Sequence, residues 1–145
     1  MKTNGANGVG RFSVEFEIAN SEDLVRAKDG TLPRDQVRRL RITGVVDPDA
    51  ATLVLPQAVV KQLGLPLGDK IQVRYADGRR AQRREAEAAY VELLGRHDTF
   101  KALVEPKRTT ALIGAMVLES LDLLVDCRRQ RLVPRDPHGA IYEIE

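Results

Sequence analysis

Phe12, Val14, Phe16 and Ile18 stand at every second position, with Arg11, Ser13, Glu15 and Glu17 between them. Only a β-strand turns a period of two into one buried face, so 9–18 reads as a half-buried strand. The same signature recurs. Val37 to Val46 alternates through Leu40 and Ile42 and ends at Asp47, and the short apolar run Leu53-Val54-Leu55 follows. Ile71 to Tyr75, the long stretch 80–94, Thr99 to Val104, Ala111 to Ile113, Leu123 to Val125, Arg131 to Val133 and Ile141 to Ile144 read as further strands. Asp77-Gly78 supplies a tight hairpin turn between two of them.

Helical signals are few. Pro56 leads a short helix, 56–63, in which Val59, Val60 and Leu63 share a face, and Gly64 ends it. A second short helix is expected near 115–121. Residues 20–35 read as a loop with one helical turn at most, because Asn20, Ser21, Asp29-Gly30 and Leu32-Pro33 punctuate it. The sum is an all-β, closed barrel with two short helices. Its core is expected from Phe12, Val14, Leu40, Ile42, Val46, Leu53, Leu55, Val59, Leu63, Ile71, Val73, Leu112, Ile113, Leu118 and Leu123.

At 145 residues the chain suits one domain, read as 9–145 after a flexible tail at 1–8. No apolar run approaches the ~20 residues of a membrane-spanning helix, and no apolar stretch follows Lys2 to make a signal peptide. The single Cys127 cannot form an internal disulfide, which makes a reducing cytoplasm the expected setting. Most of the 23 basic residues are arginine, clustered at 38–41, 79–84 and 128–131, yet 21 acidic residues leave a net charge of only +2. That balance disfavours nucleic acid as a partner, and the arginines read as solvated faces and turns. His97 and His138 lie far apart without a cysteine partner, so no metal is expected.

The most informative stretch runs from Gly44 through Val45-Val46-Asp47-Pro48-Asp49-Ala50 to Leu53-Val54-Leu55-Pro56. It sets a carboxylate at the end of a buried strand, where burial disfavours the charged form and suits a group to acid–base work. The plainer reading of Asp47 is a strand-end residue that hydrogen-bonds its own turn. The order strand, Asp, loop, strand, Pro-led helix and Leu63-Gly64-Leu65 resembles the retropepsin-like aspartic proteases. Val45-Val46-Asp47 and Ala50 match that pattern, whereas Pro48 and Asp49 replace the threonine and glycine of Asp-Thr-Gly. Tyr75-Ala76-Asp77-Gly78-Arg79 lies where a flap hairpin should be, and Ala111-Leu112-Ile113-Gly114 resembles the apolar-apolar-Gly strand beside the active loop.

The resemblance implies a homodimeric endopeptidase in which Asp47 of each copy shares a proton and activates water, without metal or cofactor. Ala50, Ala76, Asp77 and Gly78 would contact an extended peptide or protein segment, while Pro48, Asp49, Ile113 and Gly114 would support the loop. Pro48 supplies neither hydroxyl nor N–H, and Asp49 adds a side chain and a charge where glycine would let a backbone N–H approach the carboxylate. The alternative on the same fold is an inactive module that binds peptide by strand addition. A second resemblance, to swapped-hairpin DNA-binding regulators, covers Thr52 to Val73 alone and leaves 85–145 unexplained.

Overall fold

The computed structural model describes residues 11–145. The tail at 1–8 and the first two positions of the strand expected at 9–18 lie outside the described residues. Among the described residues, nine strands and three short α-helices follow one another. They are β1 (Phe12–Asn20), α1 (Ser21–Lys28), β2 (Arg39–Val46), β3 (Leu53–Pro56), α2 (Gln57–Leu63), β4 (Leu67–Arg74), β5 (Arg80–Leu93), β6 (Arg96–Glu105), β7 (Ala111–Ile113), α3 (Ala115–Ser120), β8 (Leu123–Asp126) and β9 (Arg131–Pro134).

The main sheet has the order β1-β2-β7-β3-β6-β5-β4, and β1 also pairs with β5. That extra pairing joins the two sides of the sheet into a closed six-stranded barrel, with β4 attached outside the ring. The closed all-β expectation is borne out. Closure removes the free edges that an open sheet would leave. It rests on the length of β1 and β5: Phe12 to Ala19 of β1 face β2, while Glu17 to Asn20 also face Glu92 to Ala89 of β5.

Inside the ring lie Phe16, Ile18, Val46, Leu53, Leu55, Val91 and Ile113, each at most 1% exposed. These are the inward positions of strands with period two. Val14, Leu40, Ile42 and Val59 pack against this core half-buried. Three expected core residues do not belong to it. Ile71 and Val73 sit on β4, outside the closed ring, paired with Arg83 and Ala81. Leu112 is half-buried on the outer face, between Val45 of β2 and Val54 of β3.

Two expectations about elements need correction. Residues 21–28 form a two-turn helix, so the α-helices among the described residues number three. Asn20 caps it: its side chain accepts from the N–H groups of Glu22 and Asp23 at 2.9 and 3.1 Å. Acidic Glu22 and Asp23 in the first turn and basic Arg26 and Lys28 in the last suit the helix dipole. The second correction concerns 141–144, which is no strand. The Ile141 N–H donates to Asp122 Oδ2 at 3.0 Å and its carbonyl accepts from Arg135 Nη2 at 3.0 Å. Side chains have taken both backbone groups that a ladder would use.

Candidate active site

Asp47 follows the last residue of β2. Val46 directly before it is fully buried, and the Asp47 N–H donates to the carbonyl of Ile113 on β7 at 3.0 Å. Its own carbonyl accepts from Ala50 N at 3.0 Å, closing a turn over Pro48 and Asp49, both exposed. The carboxylate lies in the same turn: Oδ1 accepts from Asp49 N at 3.1 Å, and Oδ2 lies 3.5 Å from Arg11 Nη2. The side chain is 14% exposed. The strand-end reading of Asp47 as an Asx-type residue is therefore correct at the level of hydrogen bonding. One expectation about Asp49 is not: despite its side chain, its backbone N–H still reaches the carboxylate as a glycine N–H would.

Ile113 and Gly114 stand behind this loop. Ile113 pairs with Val46 on one side and Leu53 on the other, so one residue links both strands that carry the loop. A Cβ at Gly114 would come within 2.6 Å of the Ala50 carbonyl oxygen and 2.7 Å of Thr52 N. Only hydrogen fits there. The N-terminus of α3 completes the support, with Ala115 N and Met116 N donating to the carbonyls of Ala50 and Ala51 at 2.8 and 3.0 Å.

The hairpin β4–β5 turns at Tyr75–Gly78, where Gly78 takes a φ of +90°. Ala76, Asp77 and Gly78 are all exposed at its tip. Beneath it opens a cleft of about 540 Å³, walled by Tyr75, Arg80 and Arg83 of the hairpin and by Glu105 at the end of β6 with Lys107 and Arg108 after it. Ala76–Gly78, Asp47 and Ala50 do not line it, so within one chain the expected substrate contacts are not gathered around Asp47. The link is Arg108. It lines the cleft, lies within electrostatic range of Asp47 and Arg11, and has its pKa lowered chiefly by burial.

Glu105 ties the hairpin to the barrel. It accepts from Tyr75 OH at 3.0 Å and from Arg83 Nε at 2.5 Å, while the guanidinium groups of Arg79 and Arg83 stand 5.1 and 5.9 Å from the Tyr75 ring centre. Burial and the neighbouring Glu105 carboxylate raise the Tyr75 pKa. Sequence reading missed Arg11, Arg83, Glu105 and Arg108 as parts of this region. Arg11 looked like one more polar residue of an alternating strand, and the other three become neighbours only when β5 and β6 pair.

No family model matches the sequence, and no curated protein matches it. Among solved structures, one described as EIAV protease complexed with the inhibitor HBY-793 is similar at 23% identity. The match covers 56% of this chain and 77% of that one, with a TM-score of 0.45. The segment Thr52 to Val73, which carried the second resemblance, is divided between the barrel and β4 outside the ring. Its strand β3 lies between β7 and β6, and its helix α2 buries Val60 and Leu63 in the common core.

Proposed function

We propose that the chain works as a homodimer that holds an extended peptide beneath the β4–β5 hairpin, at an aspartic-peptidase-type site formed by the Asp47 loop of each copy. The observation that carries this reading is the placement of Asp47. It is a shielded carboxylate on a loop braced by Ile113, Gly114 and α3, and it shares an electrostatic neighbourhood with Arg108 of the hairpin cleft. Two such carboxylates brought together cannot both ionise cheaply, so they share a proton and polarise a water for attack on a peptide carbonyl.

Hydrolysis by the natural loop is weak on this account. Pro48 has no hydroxyl to tie one loop to the other, and Arg11 stands 3.5 Å from Asp47 Oδ2, where it competes with the water for that oxygen. A second reading, capture of a peptide without hydrolysis, is favoured by β4. Its outer edge pairs with no described strand and can accept an added one.

The test is a substitution series on a degenerate peptide library. Pro48→Thr with Asp49→Gly should raise cleavage roughly a hundredfold by preorganising the groups around the attacking water. Adding Asp47→Asn should abolish the gain. A double variant that folds, dimerises and stays inert would leave the binding reading in place and remove the hydrolytic one.

A further inference from the structure

The hairpin cleft is electrostatically one-sided. Arg79, Arg80, Arg83, Lys107 and Arg108 line it, against Glu105 as the one lining carboxylate. That carboxylate is already engaged by Arg83 and by the Tyr75 hydroxyl. Arg79 is held by Asp77 at 2.7 Å, at the turn. Among the described residues, Arg80 and Lys107 make no ion pair, and Arg108 bonds only the carbonyl and hydroxyl of Thr110. Three cations thus face one concave space without an ion pair of their own among the described residues. Like charges held together in a partly walled cleft repel one another and concentrate positive potential where a ligand enters.

We propose that this cleft selects extended peptide segments carrying acidic side chains. The inference rests on the peptide-binding reading above and adds the class of peptide. Several features favour a peptide over a nucleic acid. The cleft volume, about 540 Å³, is that of a site for a few side chains. Ala81 gives it an apolar portion, and the guanidinium groups of Arg79 and Arg83, 5.1 and 5.9 Å from the centre of its aromatic ring, Tyr75, compete with a base for that ring. The cations come from two elements, the hairpin and the segment after β6. Acidic residues spaced along an extended chain can meet both walls at once.

The experiment measures binding by fluorescence anisotropy of three labelled peptides of equal length. They differ only in carrying Glu, Gln or Lys at alternating positions. Binding is the readout, so the result stands whether or not the natural chain hydrolyses peptides. The Glu peptide should bind about tenfold more tightly than the Gln peptide at low salt, and the Lys peptide more weakly than either. The preference should fade as salt shortens the screening length. Arg80→Glu with Lys107→Glu should erase it, and the single substitutions Arg80→Gln and Lys107→Gln should each reduce it. Both positions are exposed, so retention of the wild-type thermal transition checks the fold. Equal binding of the Glu and Gln peptides would overturn the charge selection and leave the peptide cleft standing. No binding of any peptide would overturn both. A single-stranded oligonucleotide that binds more tightly than the Glu peptide would assign the cleft to nucleic acid and overturn the proposal.

Discussion

Asn20 joins two elements through one buried side chain. Its Oδ1 caps the start of α1, and its Nδ2 donates to the carbonyls of Leu63 and Gly64 at 2.9 and 3.3 Å, closing the end of α2. Asn20→Ala should cost about 2–3 kcal/mol, the sum of a lost cap and of buried carbonyls left without a donor. Chemical denaturation would read this as a lower midpoint with an unchanged slope. Beside it, Asp23 is held below the ordinary carboxylate range chiefly by its hydrogen bond from Arg38; Asp122 is held low chiefly by Arg135 and then by the Ile141 N–H. A carboxyl group whose folded pKa lies below its unfolded value stabilises the fold above the unfolded value, and that contribution disappears as pH falls through the folded one. The melting temperature should therefore fall steeply below about pH 4. In Asp122→Asn the fall should be shallower and should start from a lower neutral value. An equally steep fall in that variant would remove Asp122 from the account.

Element by element, the chain was most legible where side chains alternate and least where chemistry at the ends decides. β1 and β2 followed from their period, and the stop of α2 from Gly64, which takes a left-handed φ of +62°. Helix α1 was missed because it is mostly polar and its apolar residues are only Leu24, Val25 and Ala27. Its caps, Asn20 before it and basic residues at its end, were the available signal. The end at 141–144 was unreadable for a different reason. Nothing local says that Asp122, 19 residues earlier, will take the Ile141 N–H. The Asp47 loop was legible as a unit, whereas its ion pair to Arg11 depends on β1 lying beside β2. One local misfit offers a prediction. The turn between β5 and β6 places Leu94 at φ +54° before Gly95 at φ +76°, with Leu94 53% exposed. Leu94→Asn should stabilise the hairpin by about 0.5–1 kcal/mol, because Asn tolerates that region and an apolar surface residue is lost. Differential scanning calorimetry should show a higher transition temperature.

As a whole molecule, the barrel closes on itself and leaves two unlike surfaces: a basic cleft under the hairpin and a loop carrying one Asp47. Among the described residues no helix is long and apolar enough to cross a membrane. One chain supplies one such loop, so an aspartic-peptidase site requires a second copy that brings its own Asp47 face to face with the first. Cyclic two-fold pairs are the commonest way for a chain to do this. The sole cysteine, Cys127, is exposed at the turn after β8, which makes the meeting of loops directly measurable. With Cys127→Ser and Pro48→Cys in the same chain, a short thiol-specific crosslinker should join two copies within minutes at micromolar protein, and sedimentation of the uncrosslinked protein should give twice the chain mass. A disulfide, with its Cα atoms about 4.4–6.8 Å apart, would mark the closest approach. A protein that sediments as a single chain and yields no crosslinked pair would contradict the shared Asp47 site.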